Sequence, residues 1–291
     1  MDEKNSKTKV LLYLGTDEIE RMATILLTQY EPLLAASNAA KTATTTGTKK
    51  NKSDPFKEAC EQAAKSFEGG TKAADVALFG RMMAEHPDTN IDAACQVAHA
   101  ISTNKVSMEM DFYTAVDDLQ GDSETGAGMM GFTGFNSSCF YRYAVIDLKQ
   151  LVINLNDDRE LAQKAVEAFI RASVTALPTG KQNSMAAHNP PDAIFAVVRQ
   201  SGAPVSLANA FAKPMRPTHE SDLMETSILK MDDYWGKLTA VYGNGGITTQ
   251  AICTVPEVEL KNLESARKGS LAEVVTTIVS ALQANANGGQ A

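Results

Sequence analysis

VSMEMDFYTAVDDLQGDSETGAGMMGFTGFNSSCFYRYAVIDLKQL, residues 106–151, is the stretch on which the reading of this fold turns. Val106, Met108, Met110 and Phe112 alternate with Ser107, Glu109, Asp111 and Tyr113. Period-two alternation predicts a strand half-buried on one face. Residues 140–146, FYRYAVI, are aromatic and β-branched and predict a second strand. A long loop rich in glycine and methionine separates them. No enzyme motif needs this layout, whereas a protein that lays a projecting loop over a single-stranded nucleic acid could use it.

Upstream, the sequence reads as helical. Ile19, Met22, Ala23, Leu26 and Leu27 recur at the spacing of one helix face over residues 17–29, behind Thr16 as N-cap. Residues 41–53, KTATTTGTKKNKS, are polar and of low complexity and read as a linker. Further helices are expected at 54–67, 71–85 and 91–102, the last with Ala94, Cys95, Ala98 and Ile101 on one face. Downstream come a helix at 159–177, a strand at 193–198 (AIFAVV), a helix at 227–242, a glycine turn at 243–246 and a last helix at 271–283.

From residue 106 the order is therefore strand, strand, helix, strand. Those are the last four elements of the βαββαβ ferredoxin-like unit, which is also the RNA-recognition fold. The expected class is α+β: an RRM-like (ferredoxin-like) palm with a helical fingers insertion and a β-hairpin thumb. The corresponding division is a helical region at 1–105, a palm at 106–256 with its thumb insertion at 117–138, and a helical tail at 257–291. The unit's opening strand and helix have no candidate upstream, so the chain is expected to lack that pair.

Composition narrows the function classes. The 291 residues carry a formal charge of −8 with 44% hydrophobic residues, and mean hydropathy is −0.19. No apolar run approaches the roughly 20 residues that span a bilayer, and MDEKNSKTKV lacks the apolar segment of a signal peptide. A cytoplasmic protein with no membrane partner is expected. Cysteines 60, 95, 139 and 253 lack the close pairing of a zinc site. Acidity argues against phosphate contacts, but charge is uneven: residues 177–216 carry Lys181, Arg199, Lys213 and Arg216 against Asp192 alone.

Three local patterns bear on chemistry. Gly126–Gly131 matches G-x-G-x-x-G, a nucleotide-binding fingerprint that requires a strand before it and a helix starting inside it. Turn-forming GDSET precedes it and FTGFNSS follows, so flexible loop glycines are the expected reading and a nucleotide-dependent enzyme the alternative. Asp117 and Asp118 could hold Mg²⁺ for a metal-dependent nuclease, but adjacent strand carboxylates point to opposite faces, and a solvated turn is expected. The histidines are scattered, and no triad spacing occurs. Neither enzyme, metal nor cofactor is expected. Tyr113, next to Phe112, can stack on a base. Met82, Met129 and Met130 can wedge between bases or fill a core. Lys181 and Gln182 lie in a loop after Gly180 and offer phosphate and sugar contacts.

At these residues the chain resembles the CasC family, the backbone subunit of the type I-E CRISPR Cascade. The collinear pieces are VALFGRM (76–82), QVAHAISTNKV (96–106), DFYTAVDDLQ (111–120), FYRYAVIDLKQL (140–151), GKQNSMAAHNPPD (180–192), SLANAF (206–211) and YWGKL…YGNGG (234–246). The resemblance implies a hand-like, non-catalytic subunit whose thumb folds over a crRNA. Copies of the subunit stack along the guide beside other Cascade subunits, and the guide pairs with target DNA. It implies that Met82, Tyr113 and Thr114 pack against bases flanking the thumb; Arg81, Met129, Met130, Lys181 and Gln182 complete the expected RNA-binding set. The family's opening strand and basic helix find no match here.

Overall fold

The computed structural model describes residues 11–31, 33–35, 61–62, 71–83, 87–115 and 129–288. The expected linker at 41–53, all but two residues of the helix expected at 54–67, and Asp117, Asp118 and Gly126 lie outside the described residues. The chain forms two compact units, residues 1–97 with 144–173, and residues 98–143 with 174–291. Among the described residues no helix is long and apolar enough to cross a membrane.

In the first unit, helix Thr16–Thr28 forms as the apolar spacing predicts. Its cap is Gly15 rather than Thr16: the Glu18 carboxylate reaches back one turn and accepts the Gly15 N–H at 2.8 Å. Strand Cys95–Val97 pairs antiparallel with Ala144–Ile146. Asp147 then caps helix Leu148–Asn154 by accepting from the Lys149 and Gln150 amides. Val76, Ala77, Leu78, Leu151, Leu155, Ala162, Ala165 and Val166 are buried and supply the core. Buried Asn154 fastens it, donating to the carbonyls of Ala77 (2.8 Å) and Asp92 (2.7 Å).

The second unit is built on strands Ala193–Arg199 and Ile247–Thr254, paired antiparallel and joined through helix Leu223–Tyr242. Phe195, Val197 and Ile252 belong to a core with Leu207, Phe211, Ile228, Met231, Trp235, Leu260 and Leu263. The Trp235 ring meets Phe195 edge-on at 5.1 Å, and its indole N–H donates to Gln250 at 3.1 Å. Helix Leu271–Gly288 packs on the same two strands through buried Val274, Val275, Ile278 and Leu282. Asp232, only 2% exposed, faces inward from the long helix. Its carboxylate accepts the backbone N–H groups of Lys261, Asn262 and Leu263 at 2.8–3.2 Å.

Several expectations are corrected. Residues 91–102 are not a helix. They contain strand Cys95–Val97 and strand Ile101–Ser102, the latter paired with Phe140–Tyr141. The apolar spacing there suits either structure. The backbone of the aromatic, β-branched 140–146 run needs partners, and this segment provides them. The first strand of the opening stretch lies at Glu109–Ala115, and it pairs with Met129–Phe135. That strand is exposed along its whole length rather than half-buried.

Asp232→Ala removes the acceptor of three backbone N–H groups at once, that of Leu263 being buried. Each unsatisfied group costs about 1–3 kcal/mol, so the variant is expected to lose at least ~2 kcal/mol in urea unfolding. A variant as stable as the parent would show that this loop contributes nothing to the unit's stability.

Candidate nucleic-acid interface

Thr103, 2% exposed, ties the base of the hairpin together. Its N–H donates to the Cys139 carbonyl at 2.9 Å, and its own carbonyl accepts the Met215 N–H at 2.8 Å. Its hydroxyl lies 2.9 Å from that of Ser227. Ser227 spends its single proton on the Leu223 carbonyl at 2.7 Å, so Thr103 is the donor between the two. The Asn104 side chain accepts the Cys139 N–H at 3.2 Å. The strand entering the hairpin, the strand leaving it, the 213–216 loop and the long helix therefore meet at one residue. Burial pushes the pKa of neighbouring Tyr141 up, and its hydroxyl accepts the Leu207 N–H at 2.9 Å.

From this root projects a two-stranded ribbon, Glu109–Ala115 on Met129–Phe135, with Phe112 opposite Phe132 and Tyr113 opposite Gly131. Residues opposite one another share a face, and neighbours along a strand alternate. One face therefore carries Met110, Phe112, Thr114, Met130, Phe132 and Gly134. The other carries Glu109, Asp111, Tyr113, Ala115, Met129, Gly131, Thr133 and Phe135. On the first face the two phenyl rings lie 5.2 Å apart, yet Phe132 remains 69% exposed. On the second, Tyr113 lies across Gly131, where a Cβ would come within 2.6 Å of its hydroxyl. Met108 likewise folds over Gly134, at 2.5 Å from where a Cβ would stand.

The expected contact residues are thereby sorted. Thr114 and Met130 share one face, Tyr113 and Met129 the other, so the four do not converge on a single point. Exposed Lys181 sits in a left-handed conformation (φ 58°) just before the short helix Gln182–Met185, and Gln182 bonds back to the Pro178 carbonyl at 3.1 Å. Residues 107–115 and 129–138 contain Glu109 and Asp111 and no Lys or Arg. Such a surface does not attract phosphate; it offers flat rings and flexible thioethers to bases. Outside the expected set stand the exposed Met110, Phe112 and Phe132. For Phe132 the signal was the glycine at every third position of GMMGFTGF, residues 128–135, which leaves little side chain to build a core. Among the described residues no group of three His, Cys, Asp or Glu is placed to hold a metal ion.

Arg81 and Met82 belong to the first unit. The Arg81 backbone bonds Ile91 in both directions at 2.9 Å. Its guanidinium is buried, with one nitrogen 2.8 Å from each oxygen of the buried Glu18 carboxylate. The guanidinium also donates to the Thr89 carbonyl at 3.2 and 3.0 Å. Met82, the next residue, is 86% exposed. Nearby Tyr13 has its phenol pKa pushed up to about 12 by burial and a hydrogen bond to Asp75.

Removing one partner of a buried ion pair leaves the other uncompensated, at a cost of about 3–5 kcal/mol. Arg81→Ala is therefore expected to destabilise the first unit by that amount, read as accelerated hydrogen exchange at residues 71–83. Glu18→Leu with Arg81→Met is expected to recover much of the loss. Exchange unchanged in Arg81→Ala would show that the pair does not hold this segment.

A comparison with curated proteins gives no match. Solved structures do match. A chain described as "CRISPR RNA-guided surveillance complex, pre-nicking" is similar to this one with a TM-score of 0.75 and 30% identity, over 97% of this chain and 72% of that one. A second, described as "CRISPR RNA-guided surveillance complex", has a TM-score of 0.62 and 34% identity over 72% of this chain and 78% of the other. The profile of the CT1975-like proteins matches residues 1–277. The resemblance carried by the collinear motifs is thus borne out, and the chain belongs to the CT1975-like protein family.

Proposed function

We propose that this chain is a crRNA-binding, non-catalytic backbone subunit of a CRISPR RNA-guided surveillance complex. The observation that carries the reading is the ribbon: an anchored hairpin with Met110, Phe112, Met130 and Phe132 exposed on one face. In this proposal the ribbon is the thumb. It lies over the RNA, and its two faces meet different groups, because Thr114 and Met130 point one way and Tyr113 and Met129 the other. Met82 adds a further apolar contact. Lys181 and Gln182 reach the sugar–phosphate chain. Arg81 acts indirectly, by fixing the backbone from which Met82 projects.

The remaining parts follow the same reading. Residues 106–256 carry an RRM-like palm with the thumb inserted in it, residues 1–105 belong to the helical fingers, and copies of the chain line up along one guide. Target DNA meets the protein through pairing with that guide, and other subunits of the complex are partners. Similarity to chains of two surveillance complexes supports this assignment. Because stacking and wedging on bases are insensitive to base identity, the subunit accepts any guide sequence, as a repeated backbone component must.

The test is co-purification of crRNA with the chain and its neighbouring subunits. Tyr113→Ala and Met130→Ala are each expected to weaken RNA binding by about 1–3 kcal/mol, with melting temperatures unchanged, since both side chains are exposed. Absence of crRNA from the assembled complex would end this reading. So would full RNA affinity in the combined Tyr113→Ala, Met130→Ala variant.

A further inference from the structure

Four of the chain's 12 methionines, Met108, Met110, Met129 and Met130, lie within residues 107–115 and 129–138. Each is more than half exposed, from 56% to 67%. Met110 stands opposite Gly134, Met130 opposite Thr114 and Met129 opposite Ala115. A Cβ at Gly134 would lie 2.5 Å from Met108 Cε and 3.4 Å from Met110 Sδ, so these two thioethers meet over a residue that has no side chain. Met108, Met110 and Met130 therefore share one face with Phe112 and Phe132, and Met129 lies on the other. Leucine would supply comparable apolar area. Methionine adds flexibility and a sulfur that can be oxidised. The cysteines at 95 and 253 compete poorly for an oxidant: burial pushes both thiol pKa values up, which holds them away from the reactive thiolate.

We propose that Met108, Met110, Met129 and Met130 form a reversible oxidation site for peroxides, and that their conversion to sulfoxides in the free chain blocks the loading of RNA. This rests on the function proposed above. A lone pair on the thioether sulfur attacks one peroxide oxygen. The S–O bond forms as the O–O bond breaks, sulfur is oxidised, and the other oxygen leaves as water. The product is a polar acceptor where an apolar, flexible group stood. To lie beneath the ring face of a base, a sulfoxide oxygen must give up its water without gaining a donor. The hairpin itself is spared, because these side chains are exposed and its direction is set at Thr103. Methionine sulfoxide reductases restore the thioether, so the block is reversible.

The full chain is treated with hydrogen peroxide, and its sulfoxides are mapped by peptide mass spectrometry. Binding of a labelled oligouridylate is measured before and after treatment. The four ribbon methionines are expected to oxidise before Met231, which is 9% exposed, and the melting temperature to stay unchanged. Affinity is expected to fall about fivefold or more, the worth of one lost base contact. Dithiothreitol alone, which reverses cysteine disulfides, is expected to leave the affinity low. Dithiothreitol with methionine sulfoxide reductases acting on both epimers is expected to restore it. A variant carrying Met108→Leu, Met110→Leu, Met129→Leu and Met130→Leu is expected to show the same affinity, whatever its level, before and after peroxide. If that variant binds no RNA, recovery by the reductases decides. Undiminished binding by a parent oxidised at all four residues would overturn the site and leave the function standing. So would recovery with dithiothreitol alone, or a Leu variant as sensitive to peroxide as the parent. No RNA binding by the untreated parent would overturn both.

Discussion

Thr103 is the constraint on which the projecting part of this molecule depends. A two-stranded hairpin is marginally stable by itself in water, and here nearly every rung is solvated. The ribbon therefore takes its direction from one end. That end is a buried threonine whose amide, carbonyl and hydroxyl are each spent on a different segment. A hydroxyl that cannot donate, or a side chain that cannot reach Ser227, would leave the pairing intact but loosen its aim. Fixing direction at the base while leaving the blade uncovered is an arrangement for presenting a surface, not for burying one.

The first unit follows the same logic on a smaller scale. Within Gly80-Arg81-Met82, the charged residue turns inward to Glu18 and the apolar one outward to solvent, which inverts the usual preference. The ion pair holds a bend whose product is an exposed methionine. A motif that reads from sequence as a cation presented to a nucleic acid is, in this structure, a buried clamp followed by a displayed thioether.

What the sequence made legible, and what it hid, follows from the same physics. The helices at Thr16–Thr28, Arg159–Thr175 and Leu223–Tyr242 announced themselves because each buries a stripe of apolar residues. The strand at Ala193–Arg199 did so through its unbroken apolar run AIFAVV. The hairpin was visible as a glycine- and methionine-rich excursion, but its strand was misassigned as half-buried. Alternation states that two faces differ; it does not state that a core lies against either. The strands at Cys95–Val97 and Ile101–Ser102 are too short for period to distinguish them from a helix. Strand Ile247–Thr254 went unseen because ITTQAICT carries polar residues on a face that bonds to Trp235. The burial of Arg81 was invisible, because its ion pair joins segments far apart in sequence.

The ribbon's other property concerns its edges. It comprises two strands, and along the described residues each is paired on one side only. Open N–H and C=O groups beside uncovered phenyl rings are a template for further strand addition and self-association. Burdened with such a surface, the chain has reason to be made in proportion to whatever covers it. An excess of this polypeptide over its covering partner would be depleted by aggregation, so that the quantity of soluble protein reports the quantity of partner available to it.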